Sequence, residues 1–102
     1  MNSRQKGVRG ELEVASIFQT AGFDVNRTPN SGGLRLRGDL YGELPLHVEV
    51  KRAERLAIPA WLKQARDEAR SGVTPVLCFR QNRGEWYACL PLDRFVEMIP
   101  RG

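Results

Sequence analysis

Leu46-His47-Val48-Glu49-Val50-Lys51 alternates apolar and polar residues with a period of two, which predicts a β-strand with two unlike faces. Leu46, Val48 and Val50 point one way, toward a core, and His47, Glu49 and Lys51 point the other. A carboxylate and an ammonium then stand side by side on one surface. Such a pair can hold a divalent cation and polarise a water molecule beside it. The same residues also fit an ordinary solvated strand face, because short acidic-x-Lys matches are common by chance. Convergence of further residues on that surface is what separates the two readings.

A chain of 102 residues predicts one domain, residues 1–102, with one modest core. Its 41% hydrophobic and 27% charged content belongs to a globular protein and excludes a disordered one. The net charge is +4, and Arg outnumbers Lys by thirteen to three. The Arg fork matches phosphate oxygens, so the bias suits a nucleic-acid partner. No run of 18 apolar residues is present to span a membrane, and the N-terminus does not read as a signal peptide. Cys78 and Cys89 make neither a disulfide framework nor a zinc cluster, so an intracellular location is expected.

From Ser3 to Ala21 the apolar residues recur at helical spacing, with Ser3 as N-cap and Gly22 as stop. Gly7 and Gly10 weaken the first half, so the regular helix is expected to begin nearer Gly7. Glu11 lies beside the apolar stripe, equally suited to solvent or to a site. Phe23–Arg27 reads as a short strand and Thr28–Gly33 as a loop able to bring amides and the Ser31 hydroxyl to a phosphate. Arg35 and Arg37 follow directly. Gly38–Gly42 is expected to form a hairpin with the opening strand, which in suitable register sets Asp39 beside Glu49 and Lys51, although Asp39 also fits a turn residue after glycine. Two carboxylates that close repel each other, and a hard cation such as Mg²⁺ relieves the repulsion.

Pro59 fits the first turn of a helix over Ala60–Arg70, closed by Gly72, with Leu62, Ala65 and Ala69 as its buried stripe. Gln64 borders that stripe, and Lys63, Arg66 and Arg70 make a basic face. Pro75–Arg80 and Glu85–Leu90 read as a second hairpin, and a two-residue turn at Arg83-Gly84 would set Cys78 opposite Cys89. Two buried, reduced thiols are preferred to a bridge. A short helix over Arg94–Met98 ends the chain.

Asp39 followed by Glu49-Val50-Lys51 resembles the D…(D/E)-x-K signature of the restriction-endonuclease-like nucleases. Lys6-Gly7, Glu11, Ala21–Val25, Arg27-Thr28-Pro29, Ser31-Gly32-Gly33 and His47–Lys51 together are similar to the archaeal-type Holliday junction resolvases. The likeness runs from Lys6 to about Gln64, with a similar strand pair beyond. It departs in a shorter span between Asp39 and Glu49, in Gly38 where a proline is usual, and in a shorter C-terminus.

The resemblance implies an α/β fold with a central mixed β-sheet flanked by α-helices. It implies Mg²⁺, with Mn²⁺ as a substitute, held by Asp39, Glu49 and the Val50 carbonyl, with Glu11 completing the shell. Lys51 would orient or deprotonate the attacking water, Ser31 would hold the scissile phosphate, and Gln64 would position Lys51. Lys6, Arg9, Arg27, Arg35, Arg37 and Arg52 would contact DNA. The implied activity is paired cutting of four-way junctions by a homodimer, in the cytoplasm of an archaeal, bacterial or virus-infected cell. A same-fold nuclease for nicked, flapped or duplex DNA, and a DNA-binding protein without catalysis, are the alternatives.

Overall fold

A computed structural model describes residues 2–29 and 38–102. Helix α1 covers Ser3–Thr20 and is capped by Asn2, whose side chain accepts from the Gln5 amide while Gln5 reaches back to the Asn2 amide. The reciprocal pair satisfies two orphan donors, which moves the cap one residue ahead of the expected Ser3. Gly7 and Gly10 do not delay the helix, because Gly10 is where it meets the sheet. A Cβ at Gly10 would lie 3.4 Å from the Trp86 ring and 3.6 Å from both Arg52 and Val50.

Strands β1 (Val25–Arg27) and β2 (Leu40–Gly42) form an antiparallel two-stranded ribbon. Gly42 closes it with φ +136°, and a Cβ there would overlap the Asp24 backbone. Strand β3 (Leu46–Arg52) leads through helix α2 (Ile58–Glu68) to β4 (Thr74–Arg80), and β3 and β4 pair in parallel. Strand β5 (Tyr87–Cys89) pairs antiparallel to β4, and helix α3 (Leu92–Glu97) follows. The three-stranded sheet, in the order β3-β4-β5, is therefore mixed, and helices flank it. The mixed α/β architecture expected from the sequence is present.

Two local expectations change. The strand at Leu40–Gly42 does not form a hairpin ladder with β3; it pairs with β1, and β3 pairs with the distant β4. The hairpin at the other end takes a longer turn through Arg83 (φ 62°), with Leu77 opposite Cys89 and Cys78 opposite Ala88. The two cysteines are not cross-strand partners, and both are free thiols.

Alternation along β3 and β4 sorts the core. Val48, Val50, Val76 and Cys78 face α1 and pack with Val14, Ala15 and Leu40. The odd-numbered face, His47, Glu49 and Leu77, lies beneath α2, where Ala65 is wholly buried. Polar and apolar faces of β3 are thus both covered, as happens in a strand flanked by helices on two sides. Of the residues expected in the α2 stripe, Ala65 alone is fully buried, and Leu62 and Ala69 are partly covered.

Candidate active site

The outer edge of β3 and the ribbon's inner end meet at Asp39. Gly38, at φ +79°, turns the chain so that the Asp39 amide donates to the Val48 carbonyl at 2.7 Å. A Cβ on Gly38 would lie 2.9 Å from that carbonyl. Proline, fixed near φ −65°, cannot adopt this turn, which accounts for glycine at the position. One residue on, Asp39 Oδ2 accepts from the Val50 amide at 2.7 Å. Within a strand the N–H and C=O of one residue leave by the same edge. The Val50 carbonyl therefore also faces Asp39.

Asp39 is the common neighbour of two more carboxyls. It lies within hydrogen-bonding reach of Glu49, whose carboxyl is pushed up to about 9 by burial first and by the Asp39 charge second. Glu11, reaching in from α1, is raised by burial and then by Asp39, with Arg27 and Lys51 acting in the opposite direction. The Arg27 Nε donates to Glu11 Oε1 at 2.8 Å across the gap between β1 and α1. Glu11, Asp39, Glu49 and Lys51 are thus gathered at one edge of β3. The donor set suits a hard divalent cation: two carboxylates held together against their own repulsion, with a backbone carbonyl alongside.

A family model described as "Phage putative PDDEXK endonuclease" matches residues 2–101. The chain belongs to that family. Protein D14 of Escherichia phage T5 is 28% identical over 114 residues, covering 88% of this chain and 71% of the relative. Among solved structures, Hjc, a Holliday junction resolvase of the archaeal hyperthermophile Archaeoglobus fulgidus, superposes with TM-score 0.62 at 22% identity. The superposition covers 94% of this chain and 82% of Hjc. By its family the chain is a nuclease, by its superposition it has the resolvase fold, and the phage family agrees with the resemblance in its sequence.

Other expected site residues of the PDDEXK chain fall less centrally. Gln64 is exposed and donates to Glu68 Oε1 at 3.3 Å rather than to Lys51. Arg52 is held by Glu13 at 3.4 Å. That carboxylate also takes Arg80 at 2.8 Å and the Trp86 indole at 3.1 Å, with the Arg80 guanidinium 5.8 Å from the Trp86 ring. Arg52 therefore helps tie α1 to the sheet. Lys6 is partly covered and Arg9 exposed, both on α1, while Ser31, Arg35 and Arg37 lie outside the described residues.

Two further groups stand beside Glu49, one expected on its face of β3 and one not. His47 is 4% exposed, and its Nε2 lies 2.8 Å from Glu49 Oε1, whereas a lone strand histidine is expected at the surface. Glu68, at the end of α2, has an oxygen 4.0 Å from the same nitrogen. Nothing near Glu68 in the sequence marks it, since it reads there as a solvated partner for basic neighbours.

Proposed function

We propose that this chain is a metal-dependent, structure-selective DNA endonuclease that resolves four-way junctions by paired phosphodiester hydrolysis. The observation that carries the reading is Asp39 standing between Glu11 and Glu49, with Lys51 next along the same strand face. Asp39, Glu49 and the Val50 carbonyl would hold Mg²⁺, or Mn²⁺ in its place. A divalent ion there supplies Lewis-acid stabilisation of the phosphate and a nucleophile near neutral pH.

The chain's own groups do the rest. Lys51 orients the attacking water and counters the charge that builds on the phosphate oxygens. Glu11 accepts hydrogen bonds from water around the site. Arg27 binds Glu11 through Nε, so the other arms of its fork can take a backbone phosphate. Burial of Glu49 beneath α2 lowers the local dielectric and strengthens each of these charge contacts. Lys6 and Arg9 on α1 would extend the phosphate-binding surface, and Ser31, Arg35 and Arg37 would add phosphate contacts. Two copies about a two-fold axis would place two such sites on opposed strands, and recognition would run through shape and phosphates.

The test is cleavage of a labelled four-way junction, beside nicked, flapped and plain duplexes at one salt concentration. Junction cutting in Mg²⁺, absent in EDTA and absent in Glu49→Ala and Lys51→Ala variants that still bind, is expected. Full cutting by either variant or in EDTA overturns the site. Equal cutting of every duplex leaves a general nuclease of the same fold. Binding without any metal-dependent scission leaves a DNA-binding protein.

A further inference from the structure

Beneath α2, on the face of β3 turned away from α1, Glu49 meets a different set of groups. His47 Nε2 lies 2.8 Å from Glu49 Oε1 and 4.0 Å from Glu68 Oε2. One ligand atom from each of the three residues lies within 4.8 Å of the other two, and Asp39 is not part of that trio. Nitrogen and oxygen ligands bind such ions at about 2.0–2.2 Å, so two ligands of one ion stand roughly 3–4 Å apart. The 4.0 Å between His47 and Glu68 already suits one ion, and the 2.8 Å His47–Glu49 hydrogen bond would open by a few tenths of an ångström to admit it, with Glu68, the exposed member at the end of its helix, able to follow.

We propose that His47, Glu49 and Glu68 form a seat for a second divalent cation, with Glu49 shared between it and the Asp39 site. The inference rests on the reading of Asp39 and Glu49 as a cation site, and it adds a seat of different chemistry. A wholly oxygen set suits Mg²⁺, whereas an imidazole with two carboxylates suits Zn²⁺, Co²⁺ or Mn²⁺. The structure gives this seat two properties that a surface acidic cluster lacks. His47 and Glu49 are each 4% exposed, so the imidazole and one carboxyl are fixed within the packed layer. The third ligand comes from another element, so an ion would tie the end of α2 to β3.

His47 is the chain's single histidine, so its ring reports on the seat without ambiguity. Untagged, metal-free protein is titrated with Zn²⁺ and separately with Mg²⁺ while the ring ¹⁵N and ¹H resonances are followed. Zn²⁺ is expected to shift Nε2 strongly and with saturation, as a directly ligated nitrogen, whereas Mg²⁺ binding at Asp39 reaches the ring only through Glu49 and is expected to move it far less. Glu68→Gln, an exposed substitution that leaves the core intact, is expected to weaken Zn²⁺ binding at least about tenfold. Asp39→Asn is expected to abolish Mg²⁺ binding and spare the ring response to Zn²⁺. An unmoved ring at saturating Zn²⁺, or unchanged Zn²⁺ affinity in Glu68→Gln, overturns the second seat alone. Mg²⁺ binding that survives Asp39→Asn overturns the underlying site instead.

Discussion

Asp39 performs two jobs with one side chain: Oδ2 fixes the edge of β3 through the Val50 amide, and its charge raises both Glu11 and Glu49. The crowding is what a divalent cation would relieve, and binding it only in the folded state stabilises the fold. At one hundred times its dissociation constant, Mg²⁺ is expected to add about 2.7 kcal/mol. For a chain of this size that is a rise in Tm of roughly 10–20 °C. Thermal melts of wild type and Asp39→Asn check this, and the variant is expected to show no rise. Cys78 supplies a separate pH prediction. Burial pushes its thiol up to about 11 from an ordinary value of 9.0. The folded value is the higher one, so the thiol's contribution to stability is complete below pH 9 and lost as pH rises through about 11. Alkylation near pH 8 is expected to label the partly exposed Cys89 and to reach Cys78 only on unfolding, as mass spectrometry of the labelled peptides would show.

Among the elements, β3 was legible and its partners were not. Period-two alternation assigned Val48 and Val50 to one face and His47, Glu49 and Lys51 to the other, and the structure keeps that division. Alternation cannot say what covers the polar face, and α2 buries His47 and Glu49 where a solvated surface was one expectation. A hairpin is the pairing that adjacent sequence suggests, yet β3 finds its ladder in β4, beyond a whole helix. Asp39 still reaches its place, because one backbone bond to Val48 docks the ribbon without a ladder. The turn that makes that bond depends on Gly38. A Gly38→Ala variant is expected to lose about 1–2 kcal/mol from the left-handed backbone, with added strain against the Val48 carbonyl. Denaturant unfolding measures that loss, and cleavage in Mg²⁺ is expected to fall further than stability does because Asp39 is displaced. The Glu13 cluster was likewise hidden, since its three donors come from β3, β4 and the approach to β5. Glu13→Ala is expected to cost about 1–3 kcal/mol by stranding partly buried donors, read from the same unfolding curves.

At the scale of the molecule, charge and shape bear on how it meets DNA. A net charge of +4 with an Arg-rich composition favours phosphate contact over base reading. DNA affinity is therefore expected to fall steeply as salt rises from about 50 to 200 mM, and Arg9→Ala to reduce the slope of the log–log plot by about one, measured by fluorescence anisotropy. No helix among the described residues is long and apolar enough to cross a membrane. The closeness of α1 to the sheet at Gly10 carries a last consequence. Alanine there would just touch Trp86, Arg52 and Val50, whereas any bulkier residue would lever the helix outward and carry the adjoining Glu11 with it. Evolutionary drift at this one position would re-aim Glu11 at the β3 edge while every side chain gathered there stayed unchanged.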